Sequence, residues 1–210
     1  MKIIAFPVGV FQANAYLAIC EETGRCALVD PGAEPARLLD VAAGEGARIE
    51  SILLTHAHID HVGGVAAAAR ATGAPIYLHP ADAPLYAAAP EQALAFGVEI
   101  ETPPEPDQEL QDGQVLQIGA AQLEVRHTPG HSPGHVCLIG DGFALVGDCV
   151  FAGSIGRTDL PGGDYRTLLD AIQEKLLTLP DDTVLHPGHG PATTVGRERL
   201  SNPFLTGVFG

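Results

Sequence analysis

Seven consecutive residues, Thr55-His56-Ala57-His58-Ile59-Asp60-His61, bring three imidazoles and a carboxylate together directly after an apolar run. Imidazole is the commonest protein metal ligand, and an added carboxylate favours a hard or borderline cation such as zinc, iron or manganese. A lone histidine is more often a satisfied polar group than a ligand. Three of them with an aspartate, this close together, reverse that expectation. Residues 49–54 alternate and then turn continuously apolar, which predicts a strand entering a buried sheet. Past the cluster, Val62, Val65, Ala66 and Ala69 share one helical face until Gly73 stops it. The polar groups therefore belong on a strand-to-helix turn.

The other candidate ligands also follow predicted strands. His131 lies in the loop Thr128-Pro129-Gly130-His131-Ser132-Pro133-Gly134-His135, after a period-two segment over 123–127. Asp148 follows the apolar run 143–146, and His189 ends the segment His186-Pro187-Gly188-His189 after a short strand at 183–185. Strands are expected at 2–6, 14–20, 26–29, 75–78 and 115–118, the third ending at the turn Asp30-Pro31-Gly32. Helices are expected from Pro35, with Leu38, Leu39 and Ala42 inward, and from Tyr165 through Leu168, Leu169, Ile172 and Leu176, with Asp164 as N-cap. Residues 80–107, rich in Ala and Pro, read as a surface excursion of a short helix or two and an extended connector, forming one wall of a cleft. Strand and helix signals alternate, so the class is α/β.

With 210 residues and 46% hydrophobic content, the chain suffices for one sizeable domain spanning 1–210. Eleven basic residues against 26 acidic ones give a formal charge of -15 with no basic run, which argues against nucleic acid as a partner. No apolar run approaches the ~20 residues that span a bilayer, and no signal-peptide core is visible, so no membrane association and a cytoplasmic location are expected. Cys20, Cys26, Cys137 and Cys149 lack paired spacing and are expected as buried thiols, not disulfides. Oligomeric state has no signature in the sequence.

Seven ligand-type side chains, His56, His58, Asp60, His61, His131, Asp148 and His189, exceed the four that one tetrahedral ion takes and suit two ions sharing a carboxylate. The ordered motifs T-H-x-H-x-D-H, P-G-H-S-x-G-H, G-D and P-G-H-G resemble those of the metallo-β-lactamase superfamily over essentially the whole chain, most closely its short glyoxalase II-like hydrolases. The resemblance implies a four-layer αβ/βα sandwich without the added C-terminal helical domain of longer glyoxalases. It implies two divalent ions, zinc first and iron or manganese as alternatives. His56, His58 and His131 would hold one, Asp60, His61 and His189 the other, and Asp148 would bridge them. Cys149, beside that aspartate, is read as packing.

Outside the seven, His79, His127, His135 and His186 are expected in structural roles, with His135 a candidate to stand behind a ligand. Thr55 and Thr128 are candidates for orienting ligands, and Arg157 either meets a substrate carboxylate or pairs with Asp159, the internal pair being preferred. The expected chemistry is hydrolysis of a small-molecule thioester, an S-(2-hydroxyacyl) thiol such as S-lactoylglutathione, by a hydroxide shared between the ions and oriented by Asp60. A thiolate leaves without a strong general acid, its conjugate acid having a pKa of roughly 8.5. The rivals are a one-iron persulfide dioxygenase of the same superfamily, a lactone or other ester hydrolase, and a metal-stabilised binding module without turnover. Metal and activity are expected to be lost as pH falls through about 6, where imidazole protonates.

Overall fold

A computed structural model describes residues 1–207, and within them the strands form two six-stranded sheets and a small ribbon. The first sheet takes β1 (Lys2–Val8), β2 (Ala13–Ile19), β3 (Arg25–Val29), β4 (Arg48–Leu53), β5 (Ile76–Leu78) and β6 (Gln108–Glu109) in chain order. β1 to β3 form an antiparallel meander, whereas β3 to β6 run parallel. Parallel neighbours need crossovers. These are α1 (Pro35–Gly44), the pair α2 (Ile59–Val62) and α3 (Val65–Thr72), and the excursion carrying α4 (Ala83–Ala87) and α5 (Ala89–Ala95).

The second sheet contains β7 (Val115–Ile118), β8 (Ala121–His127), β9 (Val136–Gly140) and β10 (Phe143–Gly147), followed after the ribbon of β11 (Val150–Phe151) and β12 (Ser154–Ile155) by β13 (Val184–Pro187) and β14 (Thr193–Thr194). α6 (Tyr165–Ala171), extended by a wider turn over Ile172–Leu176, crosses between the parallel pair β10 and β13, and α7 (Val195–Ser201) follows β14.

Successive side chains of a strand point to opposite faces, and here both faces are covered. On β2, Leu17 and Ile19 join the helices of the first half, while Tyr16 and Ala18 pack between the sheets. On β10, Phe143 and Leu145 face the first sheet, and Ala144 and Val146 face Leu168, Ile172 and Leu176. Three apolar clusters thus separate four layers, the αβ/βα sandwich that the resemblance implies.

Several elements depart from the sequence expectations. The helix after the histidine turn is two helices, so Asp60 and His61 sit inside the short α2 and not on the turn itself. Gly63 and Gly64 make the break because they press on the Asp30–Gly32 turn, with the Gly64 N–H donating to the Pro31 carbonyl at 2.8 Å. β9 and α7 carry no clear periodic signal, the first being apolar at Val136, Cys137, Leu138 and Ile139 because both faces are buried. The N-cap at Asp164 is as expected, its carboxylate accepting from the Thr167 N–H at 2.7 Å. All four cysteines are buried and unpaired. No helix among the described residues is long and apolar enough to cross a membrane.

Candidate metal centre

Strands of both sheets deliver the candidate ligands to one edge of the sandwich. β4 ends at Leu53 and leads to His56 and His58, and α2 then presents Asp60 and His61. His131 comes from the loop between β8 and β9, Asp148 follows β10 and His189 follows β13. All seven converge. His56, His58 and His131 form one triad of potential donors within 4.8 Å of one another, and Asp60, His61 and His189 form a second. Between them stands the carboxylate of Asp148. Its Oδ1 is 3.4 Å from His61 Nε2, and its Oδ2 is 3.6 Å from both His131 Nε2 and His189 Nε2.

Three of the rings are aimed by what their rear nitrogens meet, whereas His58 turns its Nδ1 inward, 2.8 Å from His131 Nε2. His56 Nδ1 lies 3.0 Å from Thr55 Oγ1, His61 Nδ1 lies 3.0 Å from Asp30 Oδ2, and His131 Nδ1 donates to the Arg157 carbonyl at 2.7 Å. These contacts leave Nε2 of all three rings directed inward. Thr55 in turn donates its hydroxyl to Asp30 Oδ2 at 2.6 Å, so one carboxylate orients two of the candidate rings. Asp30 sits at φ 49, in the left-handed region that Asp tolerates better than most residues.

His135 does not reach the cage. Its Nδ1 donates to Thr128 Oγ1 at 2.8 Å, and its Nε2 accepts the Asp148 N–H at 3.1 Å, so this imidazole positions the backbone of the central aspartate. Gly188 must be glycine for the same reason of space, since a Cβ there would collide with the Asp148 carboxylate and the His61 ring. His79 and His127 stack on each other at 4.1 Å, and His186 packs edge-on to Tyr16, all three away from the cage. Arg157 binds Asp159 through Nε and Nη2 at 2.7 and 2.8 Å, the internal pair.

Two buried carboxylates that the sequence reading missed hold this arrangement. Asp30 was visible only as part of a turn, although it ends a buried strand much as Asp148 does. Asp82 had no signal at all. Buried, it accepts the Ala57 N–H at 2.9 Å, the Ser132 hydroxyl at 2.8 Å and the Gly134 N–H at 2.6 Å. It thereby ties the histidine turn of one half to the His131 loop of the other.

The two triads differ electrostatically. Burial and the neighbouring imidazoles hold His56 well below the ordinary histidine range, and burial with His131 pushes His58 down to about 4. His131 is lowered chiefly by burial. In the second triad burial also pulls on His61, but Asp60 and Asp148 reverse it and raise the ring well above its usual value. His189 is raised by its hydrogen bond to Asp60. Asp148, which burial alone would neutralise, is kept a carboxylate by His61, His131 and His189.

Among the described residues, the buried atoms His56 Nε2, His61 Nε2 and Asp148 Oδ1 have no hydrogen-bond partner, although the last two face each other at 3.4 Å. Unpaired buried polar atoms are costly and uncommon. Nitrogen and carboxylate donors gathered in this way suit divalent cations, whose charge would satisfy all three. Above the cage opens a cleft of about 590 Å³ that reaches His58, Asp60, His131, Asp148 and His189.

Residues 8–189 match the model of the metallo-beta-lactamase superfamily. The chain belongs to this superfamily. Within the superfamily it is 40% identical to hydroxyacylglutathione hydrolase GloC of Haemophilus influenzae, over 98% of each chain. It is 42% identical to the probable metallo-hydrolase YqgX of Bacillus subtilis, over 99% of each. The solved structure of TTHA1623 in a di-iron-bound form superposes with a TM-score of 0.88 at 44% identity, covering 98% of this chain and 100% of that one. The superfamily and the His and Asp cluster together make the chain a metallo-hydrolase.

Proposed function

We propose that the chain is a dinuclear thioester hydrolase cleaving S-(2-hydroxyacyl) thiols. The observation that carries this reading is the placement of Asp148, whose carboxylate reaches both triads, Oδ1 meeting His61 of the second and Oδ2 lying 3.6 Å from both His131 of the first and His189 of the second, and so suits a carboxylate shared by two cations. His56, His58 and His131 would hold one divalent ion and Asp60, His61 and His189 the other. The complete second triad favours two ions over the one-iron dioxygenase alternative. The GloC relative, a hydroxyacylglutathione hydrolase by name, supports the thioester class.

When bound, a pair of divalent ions supplies a water of lowered pKa and polarises the carbonyl that it attacks. The chain's own residues supply the positioning. Asp60, with Oδ2 3.1 Å from His189 Nε2 and its side chain lining the cleft, accepts a hydrogen bond from the attacking water and orients it toward the carbonyl carbon. Asp30, Thr55 and the Arg157 carbonyl keep the imidazoles from rotating. The C–S bond then breaks, and a thiolate of pKa roughly 8.5 departs without a protonating group, which the apolar far wall does not provide. No serine or cysteine is needed as nucleophile, and Cys149 is wholly buried, its thiol raised well above the usual range by burial.

Metal analysis of purified protein, paired with thiol release from S-(2-hydroxyacyl) thioesters, tests the proposal. Close to two ions per chain with metal-dependent thiol release is expected. Full activity with one ion or fewer, or oxygen consumption with a persulfide, would replace it.

A further inference from the structure

Beyond the cage, the cleft is built for something other than charge. Its outer wall is made largely by Phe11, Phe96, Phe151, Leu85 and Leu160, with Gln92 the one uncharged hydrogen-bonding side chain. Among the lining residues the sole Lys or Arg is Arg157, and its Nε and Nη2 are already engaged by Asp159. Phe11, on the turn between β1 and β2, and Phe96, just past α5, come from distant parts of the chain. Their rings nevertheless meet edge to face at 6.0 Å and 87° while remaining 37% and 57% exposed. Two large aromatic surfaces left open at the mouth of a reactive cleft remain to be covered by what enters it.

Resting on the thioesterase reading, we infer that the cleft grips the thiol arm of its substrate as an uncharged, apolar group against the Phe11 and Phe96 pair. Arms that end in carboxylates are disfavoured, because their charges find no free cation along this wall and must stay in water. An amide within a neutral arm has Gln92 to pair with. The acyl end sits over the cage in either case, so the pair acts on choice of carrier and not on the bond-breaking step.

Two lactoyl thioesters separate the possibilities, one of benzyl mercaptan and one of glutathione, together with their non-hydrolysable thioether counterparts. Covering one aromatic face is worth on the order of a ten-fold change in affinity. For the metal-loaded protein, kcat/KM for the benzyl ester is expected at least ten-fold above that for the glutathione ester. Phe96→Ala should narrow that ratio by about ten-fold, mainly through KM for the benzyl ester, and Phe96→Arg should shift it toward glutathione. Leu200→Ala, on the remote exposed face of α7, controls for general surface effects.

Equal rates for the two esters, or a ratio unmoved in both Phe96 variants, would overturn the inference while leaving the thioesterase reading intact. If neither ester is cleaved, that reading fails by itself. Calorimetric titration with the thioethers then decides the inference: tighter binding of the neutral one, weakened in Phe96→Ala, upholds it, and equal binding overturns it.

Discussion

At the scale of single residues, the centre depends on side chains that never face the cleft. Asp30 accepts the Thr55 N–H at 2.8 Å and the Thr55 hydroxyl, and it also meets His61. Asp30→Ala is expected to weaken metal affinity by roughly 10–100-fold, the usual consequence of removing a group that orients a ligand, and titration with a competing chelator would show it. Asp148→Ala should strip one or both ions, whereas Cys149→Ala should keep both, as elemental analysis of the two variants would reveal. Gly188→Ala should resemble Asp148→Ala in metal content while keeping the native circular dichroism, because the added methyl displaces the carboxylate. Four of the seven converging residues were legible in the sequence because imidazoles and a carboxylate at close spacing are rare by chance, and His131, Asp148 and His189 because each follows a predicted strand. Asp30 was legible only as a turn former, since an Asp before Pro-Gly has a sufficient local explanation. What it touches lies twenty-five and thirty-one positions further along the chain.

Among elements, the loops matter more than the strands that end in them. Asp82, in the tight turn before α4, clamps the turn carrying His56 and His58 to the loop carrying His131, through three donors at 2.6 to 2.9 Å. Asp82→Ala leaves those buried donors without a partner. A loss of about 1–3 kcal/mol per unsatisfied group is the scale to expect, seen as a lowered Tm and a weakened first triad in the metal-loaded protein. Asp82→Asn should recover part of the loss, since its oxygen still accepts. Strands and amphipathic helices with clean periodicity were readable in advance, as for α1, α6, β7 and β8. β9 was not, because a strand buried on both faces has no alternation to display, and the split between α2 and α3 was set by packing on a distant turn.

For the whole molecule, each triad draws on both halves of the sandwich, and the two triads respond oppositely to protons. Ligand imidazoles must be neutral to bind a cation, so protons compete with metal. The first triad has depressed affinity for protons, His58 falling to about 4, whereas His61 and His189 are raised. The sequence expectation of a single loss near pH 6 therefore divides in two. On acidification the ion at Asp60, His61 and His189 should leave first, and the ion at His56, His58 and His131 only at a lower pH. Metal content after dialysis across pH 4 to 7.5 would show two steps, with activity following the first. In metal-free protein His58, neutral when folded but protonated when unfolded, lowers stability as pH drops from about 6.5 to about 4. His189 works oppositely, favouring the fold below its unfolded value and losing that contribution as pH rises through its raised one.

The side chains of Asn14 and Tyr16 on β2 hold the Pro187 carbonyl at 2.9 and 2.6 Å, close to the last of the seven candidate ligands. The strand thus waits for a carbonyl 173 and 171 positions further along the chain, and no nascent chain short of His189 can close the cage. Cation uptake must accordingly follow translation of nearly all of this stretch, and a stalled or prematurely terminated product would carry histidines with nothing to share.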